Sequence, residues 1–317
     1  MTKWQRKFWI PLLCAMAACS SRSSSHDDAA GGEAGAGGAG GENEAGSAGA
    51  QAGGAVAGHA GGSGSPDAGP AASADAAPDA QALPYATCIM PLGDSITQAD
   101  LEHMSYRYWL WQMLRDGGFR TGFVGSQTTR HKREANEPTV AYPDPTFDAD
   151  HEGRWGKKPS EILALLKAVT TWDKQTPGIV LLHAGTNEVW TVSTETDQAI
   201  AQRAIMGIEA LIDYLRTKNP NVVVLLAKVI PLSEDRYPGP FQSAIAEINA
   251  RVPGVAERKT TSTSLVQVVD QFAGFTKADF LPDGIHPNEA GEKRIAAAWM
   301  QALTPLLQGK KTIACPL

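Results

Sequence analysis

Acyl transfer by a hydroxyl group needs a nucleophile, a base and a group that holds the base, and this chain carries all three types in separate short stretches. Ser95 lies in "LGDSIT", just after an apolar run, where its hydroxyl has the placement of a helix cap, a ligand contact or a nucleophile. It does not fit the Gly-x-Ser-x-Gly elbow of the common esterases. A serine attacks a carbonyl only when a base takes its proton, and that base needs a partner to fix its tautomer and stabilise its charge. "DGIHP" offers both, because Asp283 and His286 are three residues apart with Gly284 between them. One tight turn can set the carboxylate beside the imidazole and leave the other ring nitrogen for the serine. Asn187, in "HAGTNE", follows an apolar run, so its amide can donate to charge developing on a carbonyl oxygen. Gly156, in the glycine-rich loop "DHEGRWGKKP", sits ahead of a helix and offers a backbone N–H for the same purpose. Taken singly, these stretches also read as a helix cap, a solvated loop histidine, an Asx turn and a flexible connection.

Those residues need a scaffold that brings them together. From Ala86 onward, short apolar runs alternate with amphipathic ones. "CIMPL", "TGFVGS", "GIVLLHAG", "NVVVLLAKVI" and "SLVQVVD" predict five strands. Helices are predicted over Tyr108 to Asp116, from Pro159 through "PSEILALLKAV", from about Glu195 to Thr217, over Phe241 to Val252 and over Glu289 to Leu307. Strands separated by helices imply a parallel sheet covered on both faces, with right-handed crossovers. The expected fold is therefore α/β: a flavodoxin-like three-layer α/β/α sandwich with a five-stranded parallel sheet. In such folds ligands bind beyond the carboxyl ends of the strands. Ser95, Asn187 and the Asp283–His286 loop all follow strands or precede the last helix, so they can share one crevice.

Charge and composition set the remaining limits. Of the net charge of −6, the first 19 residues carry three bases and no acid, and residues 20–83 one base and eight acids, which leaves the remaining domain near −2. With no basic stripe, a nucleic-acid partner is not expected. Lys3, Arg6 and Lys7 precede an apolar run from Phe8 to Ala18, the layout of a signal peptide over residues 1–19. That run is shorter than the ~20 residues a bilayer span needs. "MAAC" is similar to a bacterial lipobox, which makes Cys19 the expected lipidated residue and this anchor the expected membrane contact. Residues 20–83 are almost entirely Ala, Gly, Ser, Asp and Pro without periodicity, a disordered tether. Residues 84–317 then form one catalytic domain. Cys88 and Cys315, one at each end of an exported domain, are expected to pair as a disulfide. No Cys-x-x-Cys or paired-histidine spacing is present, so no metal or other cofactor is expected.

The other histidines and aromatics divide less cleanly. His103 and His131 lie in polar, exposed-looking surroundings, and His183 in "VLLHAG" reads as a core histidine. His151, beside the glycine-rich loop, is a candidate for contact with substrate or for a structural role at the site. Tyr106, Trp109 and Trp155 are candidates to stack on a sugar ring, with core packing as the ordinary alternative.

"GDSI", the loop glycine Gly156, "GTNE" and "DGIHP" occur in the order of the four blocks of the SGNH hydrolase (GDSL-like esterase) superfamily, and the resemblance runs from Ile89 to about Leu307. The longer context ("LGDSIT", "FVGSQ", "DHEG", "LLHAGTNE", "DGIHPNEAG") most resembles the carbohydrate esterases that include acetylxylan esterases. The resemblance implies Ser95 as nucleophile, His286 as general base and Asp283 as its orienting carboxylate. It implies an oxyanion hole from the Ser95 and Gly156 N–H groups and the Asn187 side chain. Asp94 would support the loop. Glu188 stands where Asp is commoner, and Lys157 and Lys158 depart from the family's second block, with a bearing on substrate choice. The expected partner is an acetylated polysaccharide or oligosaccharide, outside the cytoplasm: at the outer membrane or cell surface on its lipid anchor, otherwise secreted or periplasmic. A lysophospholipase or thioesterase, and a non-catalytic carbohydrate-binding surface module, are the competing readings. An acyl-lining apolar insertion would favour the former, and none is evident; the four intact site residues argue against the latter.

Overall fold

The computed structural model describes residues 87–133, 137, 139–171 and 176–308. The expected leader with Cys19, the tether and Cys315 lie outside them. β1 (Thr87–Gly93) is buried along its whole length, as the central strand of a doubly covered parallel sheet must be. It is flanked by β2 (Thr121–Phe123) beside its first three residues and β3 (Glu152–Gly153) beside its last two. On its other edge come β4 (Ile179–His183), β5 (Val223–Lys228) and β6 (Val266–Asp270). The order is β2-β1-β4-β5-β6, all parallel. The chain thus runs from β1 to one edge, then crosses back to build the other, which makes the gap between β1 and β4 the topological switch point.

Alternate residues of the strands face two separate cores. Met90, Leu92, Val180, Leu182, Val224 and Leu226 pack under α3 (Pro159–Lys167), α4 (Asp197–Lys218) and α5 (Pro240–Lys259). Ile89, Ile179, Leu181, Leu225 and Val269 pack under α2 (Ser105–Asp116) and α6 (Glu289–Gln308). This is the three-layer α/β/α sandwich expected, with β3 as a short sixth strand. The "TGFVGS" strand stops at Phe123, and beyond it Gly125 lies against His151: a Cβ there would stand 2.2 Å from the His151 carbonyl carbon. α4 starts at a Thr196 cap whose hydroxyl accepts from the Ala199 N–H at 3.3 Å. α5 continues to Lys259, past Val252, with Pro253 inside it.

α2 starts three residues before its apolar pattern does, at Ser105, and a distant residue is the reason. Glu292 of α6, fully buried, accepts from the Ser105 N–H at 2.7 Å and the Trp109 indole N–H at 3.1 Å. His103 is not the exposed residue expected. Its Nδ1 is 2.5 Å from Glu292 and its Nε2 3.1 Å from Asp100, with only 13% of the side chain exposed.

Candidate active site

Ser95 is the first residue of α1 (Ser95–Gln98), directly beyond β1. The strand-to-helix turn requires glycine before it: a Cβ on Gly93 would lie 2.1 Å from the His183 carbonyl oxygen. Asp94 caps the helix, with Oδ1 accepting from the Ile96 N–H at 3.1 Å. Asp94 has no exposure, and burial pushes its carboxyl up to about 6 against the pull of the Ile96 N–H and of His286.

The loop before α6 brings His286 to the serine. Gly284 turns it with φ +74°, and a side chain there would meet Arg236 and Ser233 within 3.0 Å. Asp283 Oδ1 accepts from the N–H groups of Ile285 at 2.8 Å and His286 at 3.0 Å. Its Oδ2 is 2.7 Å from His286 Nδ1, and His286 Nε2 is 2.9 Å from Ser95 Oγ. A carboxylate only accepts, so Nδ1 carries the proton and Nε2 is the acceptor for the serine hydroxyl. Burial pushes Asp283 up, but the His286 hydrogen bond and charge and the two N–H groups outweigh it and hold the carboxyl below its usual range. His286 is therefore backed by a carboxylate that stays ionised.

Facing Ser95 is the loop from β3 to α3. The Arg154 N–H donates to Gly93 O at 2.8 Å, and the Trp155 N–H to Gln98 Oε1 at 2.7 Å. The Lys157 N–H closes a turn on Arg154 O at 3.1 Å, with Gly156 at φ +69° inside it. Neither the Ser95 nor the Gly156 N–H has a hydrogen-bond acceptor among the described residues. Asn187, on the 3-10 turn Thr186–Thr191 after β4, donates from Nδ2 to Lys157 O at 3.2 Å, and its Oδ1 accepts from the Trp190 indole at 3.2 Å. The indole is donor-only, so it fixes the amide with its NH₂ toward the Gly156 loop. The second Nδ2 hydrogen has no acceptor among the described residues. The site thus places a serine–histidine–carboxylate chain beside N–H donors, at the carboxyl ends of β1 and β4.

Residues 92–294 match the GDSL-like Lipase/Acylhydrolase family. The chain belongs to this family. Its SGNH-type sandwich is shared by an acetyl esterase structure with an acetate ion, at 27% identity and TM-score 0.55 over 70% of this chain and 98% of that one. A family 3 carbohydrate esterase of Clostridium thermocellum matches at 28% identity and TM-score 0.54, over 70% and 97%. A multidomain esterase of Ruminococcus flavefaciens is 26% identical over 69% of this chain, which spans 29% of that protein's length.

In this member of the GDSL-like Lipase/Acylhydrolase family the remaining sequence candidates fall into two groups. His151 is fully buried, its Nδ1 accepting from the Gly153 N–H at 2.9 Å and its Nε2–H donating to Thr129 O at 3.2 Å. Burial holds it well below the usual histidine range, so it is neutral and braces the β3 loop rather than touching substrate. Tyr106 is likewise fully buried, its hydroxyl 3.2 Å from the Thr97 hydroxyl. Trp109 lies at the α2–α6 contact, with Lys293 Nζ 4.2 Å above its ring. His183 is a core residue, as expected: its Nε2 accepts from the Ile230 N–H and burial lowers it to about 4. Lys158 approaches the buried Glu188 at 3.8 Å, and Glu188 also pairs with Arg203 at 2.5 Å.

Trp155 does reach the site, stacking on His286 with centroids 4.6 Å apart and on His131 at 4.5 Å. His131 is therefore joined to His286 through Trp155, not a detached polar residue. No local signal marks it, because the contact depends on how the loop after β2 folds back. Trp190 was also missed, although a tryptophan three residues after Asn187 is at the spacing of a 3-10 turn. Cys88 is buried in β1 and is not a free thiol. Among the described residues, no three or more His, Cys, Asp or Glu side chains group to hold a metal.

Proposed function

We propose that this protein is an exported serine esterase that removes O-acetyl groups from carbohydrate. The observation that carries the reading is the unbroken chain from Asp283 Oδ2 through His286 to Ser95 Oγ, at 2.7 and 2.9 Å. Ser95 Oγ attacks the acetyl carbonyl while His286 Nε2 takes its proton. The negative oxygen is received by the Ser95 and Gly156 N–H groups and Asn187 Nδ2, the kind of donor set that stabilises tetrahedral intermediates. As the C–O bond to the sugar breaks, His286 returns the proton to the leaving hydroxyl and acetyl-Ser95 remains. Water, deprotonated by His286, then attacks the acetyl group, and Ser95 recovers its proton as acetate leaves. None of these steps requires a metal or organic cofactor.

The acetyl and carbohydrate parts of the reading are supported by the acetyl esterase and carbohydrate esterase neighbours at 27–28% identity. Export, a lipid anchor at Cys19 and a Cys88–Cys315 disulfide belong to the same proposal and rest on the sequence. The test is acetate release by the full chain from acetylated xylan and acetylated xylo-oligosaccharides, compared with fatty-acid release from long-chain esters. The expected result is hydrolysis of the acetylated glycans with little on long acyl chains. Activity confined to long chains would replace this reading with a lipase-type one.

A further inference from the structure

The sequence candidates for stacking on sugar leave no open ring at the site: Trp155 is stacked on two imidazoles, Tyr106 is buried and Trp109 lies under Lys293. One aromatic is exposed and tied to the site directly. Trp190 is 40% exposed, and its indole N–H is bound to Asn187 Oδ1. Tyr237 and Phe241 meet the indole at 5.4 and 5.8 Å, at steep angles of 65° and 57°, and contact each other at 5.4 Å. Both are partly buried against the core beneath the β4 and β5 ends. They brace the ring from the side.

The bracing segment also touches the base-bearing loop. The Ser233 N–H donates to Gly284 O at 2.8 Å, and Arg236, the residue before Tyr237, packs on Gly284. The Asp283 charge also raises the Tyr237 hydroxyl, after burial the larger cause. Trp190 therefore lies where two walls of the crevice meet, bonded to Asn187 on one side and braced on the other by the segment that packs on the Asp283–His286 loop.

We propose that Trp190, held by Tyr237 and Phe241, is a sugar-stacking platform that receives a pyranose ring of the acetylated glycan. This rests on the acetylated-carbohydrate reading above. A pyranose presents a face of C–H groups whose partial positive charge suits the negative face of an indole. The bond to Asn187 sets the distance between platform and oxyanion donor, so a ring seated on Trp190 delivers its ester at a fixed reach. An exposed tryptophan left without such a ligand would keep a large apolar face in water.

The test compares full-chain wild type, Trp190→Ala and Trp190→Phe on an acetylated xylo-oligosaccharide and on a short alkyl acetate, which carries the ester without a ring. Trp190→Ala should raise KM for the oligosaccharide about tenfold and leave KM for the alkyl acetate nearly unchanged. Trp190→Phe keeps a ring face but loses the N–H, so it should hold KM for the oligosaccharide near wild type while lowering kcat on both substrates alike. Equal KM changes on the two substrates in Trp190→Ala, or no change on either, overturn the platform alone. A wild-type protein that cleaves the alkyl acetate and no acetylated glycan overturns the parent reading and the platform with it.

Discussion

Asp94, one residue before Ser95, holds a carboxyl with no exposure and one oxygen, Oδ2, without a hydrogen-bond partner among the described residues. Its pKa is raised from 3.8 to about 6, so the folded state binds a proton more readily than the unfolded chain between those values. Stability from this group therefore falls as pH rises through that window. Asp94→Asn keeps an oxygen for the Ile96 N–H and removes the buried charge. We expect the variant to melt higher than wild type above pH 6, with the gap closing below about pH 4; thermal melts across that range check it. Under the proposed mechanism its kcat/KM should fall, because the Asp94 charge favours an imidazolium at His286. At this scale the sequence was legible where chemistry is local. Asp283 and His286 share one turn, and Ser95 and Asn187 each end a strand, so short motifs sufficed to nominate them. His131 and Gln98 act through contacts between segments, Trp190 is braced by residues far along the chain, and the role of His151 depended on a burial that its neighbours in sequence do not reveal.

Among the elements, the clasp between α2 and α6 has a chemistry of its own. His103 sits between Asp100 and Glu292, and Arg133 pairs with Asp100 at 3.2 Å. Burial pulls His103 down, but the hydrogen bonds and charges of the two carboxylates reverse this and lift it from 6.5 to about 9. A raised histidine contributes stability that is fully present below pH 6.5 and lost as pH rises through about 9. The loss over that window should be roughly 3 kcal/mol at 1.36 kcal/mol per unit. His103→Gln should flatten the decline in melting temperature between pH 6.5 and 9; a slope equal to wild type would remove His103 as its source. The strands and most helix bodies were readable from apolar runs and helical spacing. The start of α2 was not, because Glu292, 187 residues away, fixes it. β3 was not either, since two residues carry no period and pair only because the loop is pinned to Gly93.

Over the whole molecule, the strand order does the work of assembly. Reversal between β1 and β4 opens the crevice, and three segments far apart in sequence deliver Ser95, Asn187 and the Asp283–His286 pair to it. Ser95 and His286 are 191 residues apart yet within hydrogen-bond distance. The proposed function requires acetyl transfer to pass through Ser95 Oγ. Acetate release from an acetylated xylo-oligosaccharide by full-chain Ser95→Ala, set against wild type, tests it most directly. Release should fall about 10³-fold or more with the melting temperature retained. Acetate release that survives the substitution would contradict it.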